Sequence, residues 1–82
     1  MRIRKQEIGN RNIVGARVEK QHKAVNMKQK ELLAQLQTRG IEMNSSGLSK
    51  LEGQIRHVTD RELIALSDVL GVSVNWLLGL EK

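Results

Sequence analysis

Apolar residues recur at helical spacing in five stretches of the chain, separated by short polar gaps that carry glycine, asparagine or serine. From about residue 12 to 25, Val14 and Val18 share one face with Ala16, Glu19, Lys20, Gln21 and Lys23 around them. That pattern predicts a weakly amphipathic first helix, with Asn10 or Asn12 as its cap and Asn26 as a stop, since asparagine tolerates the left-handed conformation. In the second stretch Leu32, Leu33 and Leu36 form one stripe among Lys28, Gln29, Lys30, Glu31, Gln35 and Gln37, and Gly40 can end it. The third, about 44–53, starts at capping side chains (Asn44, Ser45, Ser46), turns Leu48 and Leu51 inward and meets Gly53 as its expected end. Thr59 and Glu62 then form a capping box, worth about 1 kcal/mol, in front of Leu63, Leu66 and Leu70, with Ile64 and Val69 at the margins. Gly71 closes that helix, and Ser73 opens a last one containing Val74, Trp76, Leu77 and Leu78 before Gly79. At this density of apolar residues the last two helices read as core rather than as the lining of a ligand pocket. The fold class is all-α.

Length and charge narrow the reading. The chain of 82 residues suffices for one domain with a modest core, taken here as residues 1–82 without an internal boundary or repeat. Its 14 Lys and Arg against 9 Asp and Glu leave a net charge of +5, which favours a polyanionic partner without saying which one. Residues 1–11 include Arg2, Arg4 and Lys5, and read either as a solvated, flexible terminus or as a basic arm that follows phosphates. No stretch approaches the roughly 20 apolar residues of a membrane span, and no signal-peptide pattern is visible, so a cytoplasmic protein is expected. The absence of cysteine excludes disulfides and thiolate metal sites, two distant histidines make zinc a poor expectation, and no cofactor is anticipated. A single tryptophan does not furnish the stacking platforms used on single strands.

The candidate chemistry lies on the outer side of the third helix. With Leu48 and Leu51 inward, Ser45, Ser46, Ser49 and Lys50 face outward as a small, polar, partly basic surface. A major groove admits such a helix, and Ser or Lys can bond base edges or phosphates there. Lys28 and Lys30, and Arg56 and His57 on the following loop, are candidates for phosphate contact, with plain hydration the competing reading for the loop. His22, taken by itself, reads as a solvated surface side chain.

In order along the chain, GARVEKQHK, MKQKEL, SGLSKLEGQ and LIALSDVLGVSVNWLLG resemble the helix-turn-helix domains of the lambda-repressor and Cro type, over roughly residues 14–79. The resemblance implies a compact five-helix bundle, usually a homodimer on inverted-repeat double-stranded DNA, acting as a transcriptional regulator and here expected to be a repressor. It places Gln29 where the family has a glutamine that contacts the backbone phosphates and braces the recognition helix, about 44–53. It places Ser45, Ser46, Ser49 and Lys50 at the base-reading positions. It also sets Glu52 where the family has a glutamate paired with a basic side chain of the first helix, which here is His22. Two features depart from the family. The link between Leu36 and Leu48 is longer than its tight turn, and Leu33 stands where a small residue is usual. Gly47 is expected to give room for Leu33 or for a phosphate.

A second reading of the same fold is an antitoxin or accessory module whose basic face docks an acidic protein. An enzyme is not expected: His22 with Glu52, or His57 with Asp60, would still need a concave pocket with a nucleophile or metal beside it.

Overall fold

In the computed structural model, which describes residues 10–81, five helices follow one another with no strand among the described residues: α1 (Gly15–Ala24), α2 (Gln29–Thr38), α3 (Ser45–Glu52), α4 (Asp60–Leu70) and α5 (Val74–Leu77). The basic positions Arg2, Arg4 and Lys5 lie outside the described residues. The radius of gyration, 11.8 Å, is that of a compact chain of this length, for which about 12 Å is usual. None of the described helices is long and apolar enough to cross a membrane.

Local chemistry sets the helix boundaries. Asn44, Thr59 and Ser73 each accept a hydrogen bond from a backbone N–H in the first turn of α3, α4 and α5, and the Glu62 side chain completes the box by accepting from the Thr59 N–H at 2.9 Å. Helix α2 lacks an oxygen-bearing cap, and Glu31 makes up for part of that by accepting from the Lys28 N–H at 3.0 Å. At the other ends, Asn26 (φ 62°), Gly40 (φ 81°), Gly71 (φ 70°) and Gly79 (φ 78°) take the left-handed conformation that lets the next N–H reach back five residues to a free carbonyl. The third helix ends at Gly53, as expected, but not by a left-handed glycine. Gly53 stays in the right-handed region and is buried, while Gln54 (φ 64°) makes the left-handed turn. A non-glycine residue there costs about 1 kcal/mol. Gln54 offsets it by donating its side-chain amide to the Asn12 carbonyl at 3.0 Å, and its own carbonyl accepts the Arg11 N–H at 2.9 Å.

Val14, Val18, Leu32, Leu36, Leu48, Leu51, Ala65, Leu66, Leu70 and Leu77 form the buried core, one side from every helix. Each large aliphatic side chain removed from water contributes about 1.5–3 kcal/mol. Leu33 and Leu63 are only half-buried at its edge, and Trp76 lies half-buried under the Arg17 guanidinium, 4.8 Å from the ring centre. Helix α4 packs on α1, α2 and α5, leaving α3 to pack on α1 and α2 at the side of the bundle.

The segment before α1 is fastened to the end of α3. Asn12 accepts the Gly15 N–H at 2.8 Å, doing the work of a cap, and donates its amide to the carbonyls of Leu51 (3.1 Å) and Arg56 (2.7 Å). This brings the first turn of α1 against the last turn of α3 so closely that a Cβ on Gly15 would overlap the Leu51 carbonyl and lie 3.0 Å from that of Glu52. Gly47 has a different environment from the expected one. A Cβ there would meet Asn44 Oδ1 at 3.2 Å and Met43 Cγ at 3.3 Å, so the glycine accommodates the cap of its own helix and not Leu33.

Gly15→Ala should therefore destabilise the protein by about 1–3 kcal/mol, although alanine in a helix normally gains about 1 kcal/mol over glycine. Urea denaturation of the two proteins reads the sign directly, and a gain in stability would contradict the close approach.

Candidate nucleic-acid interface

On α3, Ser45, Ser46, Ser49 and Lys50 are all exposed, while Leu48, Leu51 and Glu52 are buried. The helix thus presents one polar face outward, as its apolar spacing predicts. Lys28 and Lys30 are exposed at the start of α2, and His57 is exposed on the loop after α3.

A cluster of buried polar groups holds α3 in place from behind. His22 and Glu52 are each only 4 % exposed, and His22 Nε2 lies 2.9 Å from Glu52 Oε2. The pair that the resemblance implied is thus formed, and the solvated reading of His22 is corrected: the last turns of α1 and α3 face each other across it. The contact is one of charge and proximity, since neither atom makes a well-directed hydrogen bond to any group. The other ring nitrogen, Nδ1, is 2.7 Å from the Met27 carbonyl in the link to α2. Gln29 completes the junction from the start of α2, its Nε2 donating to Glu52 Oε1 at 3.0 Å and to Ser49 Oγ at 3.3 Å. Burial pushes the Glu52 carboxyl above the usual carboxylate range, and the opposing pull of His22 and of the Gln29 hydrogen bond does not cancel it.

Gln29 therefore braces α3, and both hydrogens of its amide are committed to doing so. Ser49, as an acceptor from Gln29, keeps its own hydroxyl hydrogen for another partner.

Arg56 proves to be an internal brace, where sequence reasoning had assigned it to phosphates. Its Nε donates to the Gly47 carbonyl at 3.0 Å, Nη1 to the His57 carbonyl at 2.6 Å and to Glu62 Oε1 at 3.1 Å, and Nη2 to Glu62 Oε2 at 2.8 Å. Its guanidinium so links the first turn of α3 to the first turn of α4. Burial alone would raise the Glu62 carboxyl, but the bonds from Arg56 and from the Thr59 cap outweigh it and hold Glu62 below the usual carboxylate range. Glu62 was legible in the sequence as half of a capping box; its second partner was not, because Arg56 precedes the helix and nothing local marks it as turned inward.

Among the described residues the structure thus unites His22, Gln29, Ser49 and Glu52 in one junction, and Arg56 with Glu62 in another. Ser45, Ser46 and Lys50 share the outward side of α3 without joining either. Asn12 and Gln54, which the sequence reading did not single out for this purpose, secure the end of the same helix. No protein family, curated protein or solved structure matches the chain. The functional reading accordingly rests on the geometry of α3 and its surroundings.

The lowered Glu62 carboxyl fixes a sign for acid denaturation. A depressed folded-state pKa supplies stability above the ordinary value, which is lost as pH falls through the folded one. Stability measured from neutral pH down to acid should fall on this limb for the native protein, and Glu62→Gln should flatten it. An equally steep limb in the variant would show that Glu62 is not responsible.

Proposed function

We propose that the protein is a sequence-specific double-stranded DNA-binding regulator of the lambda-repressor and Cro type, with α3 as its recognition helix. The observation that carries this reading is the exposed polar face of α3, Ser45, Ser46, Ser49 and Lys50, on a helix braced from three sides by His22, Gln29 and Arg56. Base readout requires a helix that can enter the groove and hold its side chains in register, and bracing at both ends supplies that register. The helix order α1 to α5, with α2 and α3 leading into an exposed face, agrees with this fold type. The six-residue link between Thr38 and Ser45 is longer than that of the type, so the path of α3 across the groove is this chain's own.

Affinity would come mainly from phosphates. Lys28 and Lys30 at the positive end of α2 and His57 beside α3 are free to meet them, within a chain of net charge +5. Since the Gln29 amide hydrogens are spent on α3, its contribution to a phosphate would come through the backbone N–H at the start of α2, where helices leave donors unsatisfied. Base contacts would come from short hydroxyls and one lysine, which gives modest intrinsic specificity. A homodimer would place two such helices about 34 Å apart on an inverted repeat, and occupancy of that site would repress transcription.

Selection from a random duplex pool at about 150 mM salt, with excess nonspecific competitor, tests this reading. Enrichment of an inverted repeat is expected; binding without enrichment, or none, would overturn it, and absence of binding would favour the protein-docking role of an antitoxin or accessory factor. On an enriched site Lys50→Ala should cost about 1–3 kcal/mol at one base position if Lys50 reads a base. Lys28→Ala should instead weaken binding to every sequence and lower the slope of log affinity against log salt by about one. Base-specific loss on Lys28→Ala would contradict the assignment.

A further inference from the structure

The His22–Glu52 contact contains a question of proton count. Met27 offers its carbonyl oxygen, which only accepts, so the hydrogen at the 2.7 Å contact must sit on His22 Nδ1. A neutral imidazole carries one N–H, and with Nδ1 protonated its Nε2 would present a bare lone pair to Glu52 Oε2 at 2.9 Å. Two acceptors cannot share so short a contact in a buried site without a proton between them. Moving the ring hydrogen to Nε2 only transfers the conflict, because Nδ1 would then face the Met27 carbonyl bare. Both contacts survive together in two states alone: imidazolium against carboxylate, or neutral imidazole against a protonated Glu52. Each contains one proton more than the neutral imidazole with a carboxylate.

We infer that the His22–Glu52 junction is a proton-binding site whose occupancy locks α3 onto α1 and so makes the proposed DNA-reading face pH-sensitive. The link to DNA rests on the function proposed above; the proton site itself does not. The surroundings favour retention of the proton. Glu19, on α1, is like-charged to Glu52, though it shares an ion pair with Lys23 at 3.8 Å, while α2 contributes only the neutral Gln29 amide to the carboxylate and α3 the hydroxyl of Ser49 beside it. Loss of the proton would leave a buried negative charge with a single amide donor and a lone pair opposed to it. Relief requires either the Met27 turn or the Glu52 end of α3 to give way, and the latter carries Ser49 and Lys50 with it.

The sign follows from linkage. A folded state that binds a proton the unfolded chain has released is stable at low pH and loses that stability as pH rises through the junction's titration. For one proton the folding constant changes by up to about tenfold per pH unit. This alkaline limb is separate from the acid limb owed to Glu62.

Glu52→Gln is the discriminating variant. Its amide oxygen can still accept from Gln29, and its NH2 can donate to a bare His22 Nε2, so both contacts can be kept without the extra proton. Urea denaturation of both proteins from about pH 6 to about pH 9 is the measurement, the interval in which an ordinary histidine has given up its proton. The native protein should lose stability towards high pH while Glu52→Gln shows a flat profile across the same interval. A native profile that is flat or rises, or a decline of the same slope in the variant, overturns the inference whatever is found about DNA. If Glu52→Gln does not fold, a long-range 1H–15N spectrum of the native protein decides instead: one pH-dependent change at His22 that moves the α3 amides supports the site, and α3 amides that stay fixed while His22 titrates overturn it. With the native protein, anisotropy of a labelled random-sequence duplex should weaken beyond the change seen for Glu52→Gln over the same interval; equal weakening would overturn the coupling to DNA.

Discussion

Glu52 reaches outward with both carboxylate oxygens, one lying 2.9 Å from His22 Nε2 of α1 and the other accepting from Gln29 of α2, while its own backbone ends α3. Three helices therefore meet at one buried carboxylate. Apolar packing through the fully buried Leu48 and Leu51 holds the inner side of α3 against the bundle. The hydrogen bonds from Gln29 and Arg56 add directed constraints at its two ends. Breaking one partner of a buried charged pair costs far more than the pair contributes net, so such a junction specifies position more than it stabilises.

The second brace acts on the other end of the helix. Arg56 is held by Glu62, itself the box residue of α4, and in turn holds the Gly47 carbonyl in the first turn of α3. The capping geometry of one helix is thereby transmitted to the orientation of another. Asn12 and Gln54 close the arrangement by fastening the chain before α1 to the last turn of α3. With its inner side so committed, α3 has only its outer side to offer: Ser45, Ser46, Ser49 and Lys50.

What the sequence made legible was mostly local. Asn26, Gly40, Gly71 and Gly79 announce helix ends because few other residues accept positive φ, and Thr59 and Ser73 announce starts because their hydroxyls satisfy free N–H groups. Leucine spacing gave the inner side of α3, and hence the outer. The fastening of α3 was not legible from the residues, because it depends on contacts between segments some 40 residues apart, such as Asn12 with Leu51 and Arg56. Gln54 was missed for the same reason: the neighbouring Gly53 is the better left-handed residue taken alone, and only the bond to Asn12 explains why the turn falls one position later. Arg56 looked like any loop cation, and burial with Glu62 changed its role. His22 read as solvated until the family resemblance supplied it with Glu52.

The central claim is that bracing α3 from behind serves to present its outer face to duplex DNA. Backbone amide shifts followed by NMR as a duplex carrying the enriched repeat is added test it most directly. The account predicts changes concentrated at Ser45, Ser46, Ser49 and Lys50 and at the start of α2, with the outer side of α4 around Ile64 unmoved. Changes centred on Ile64 and Arg61, with the face of α3 silent, would contradict it.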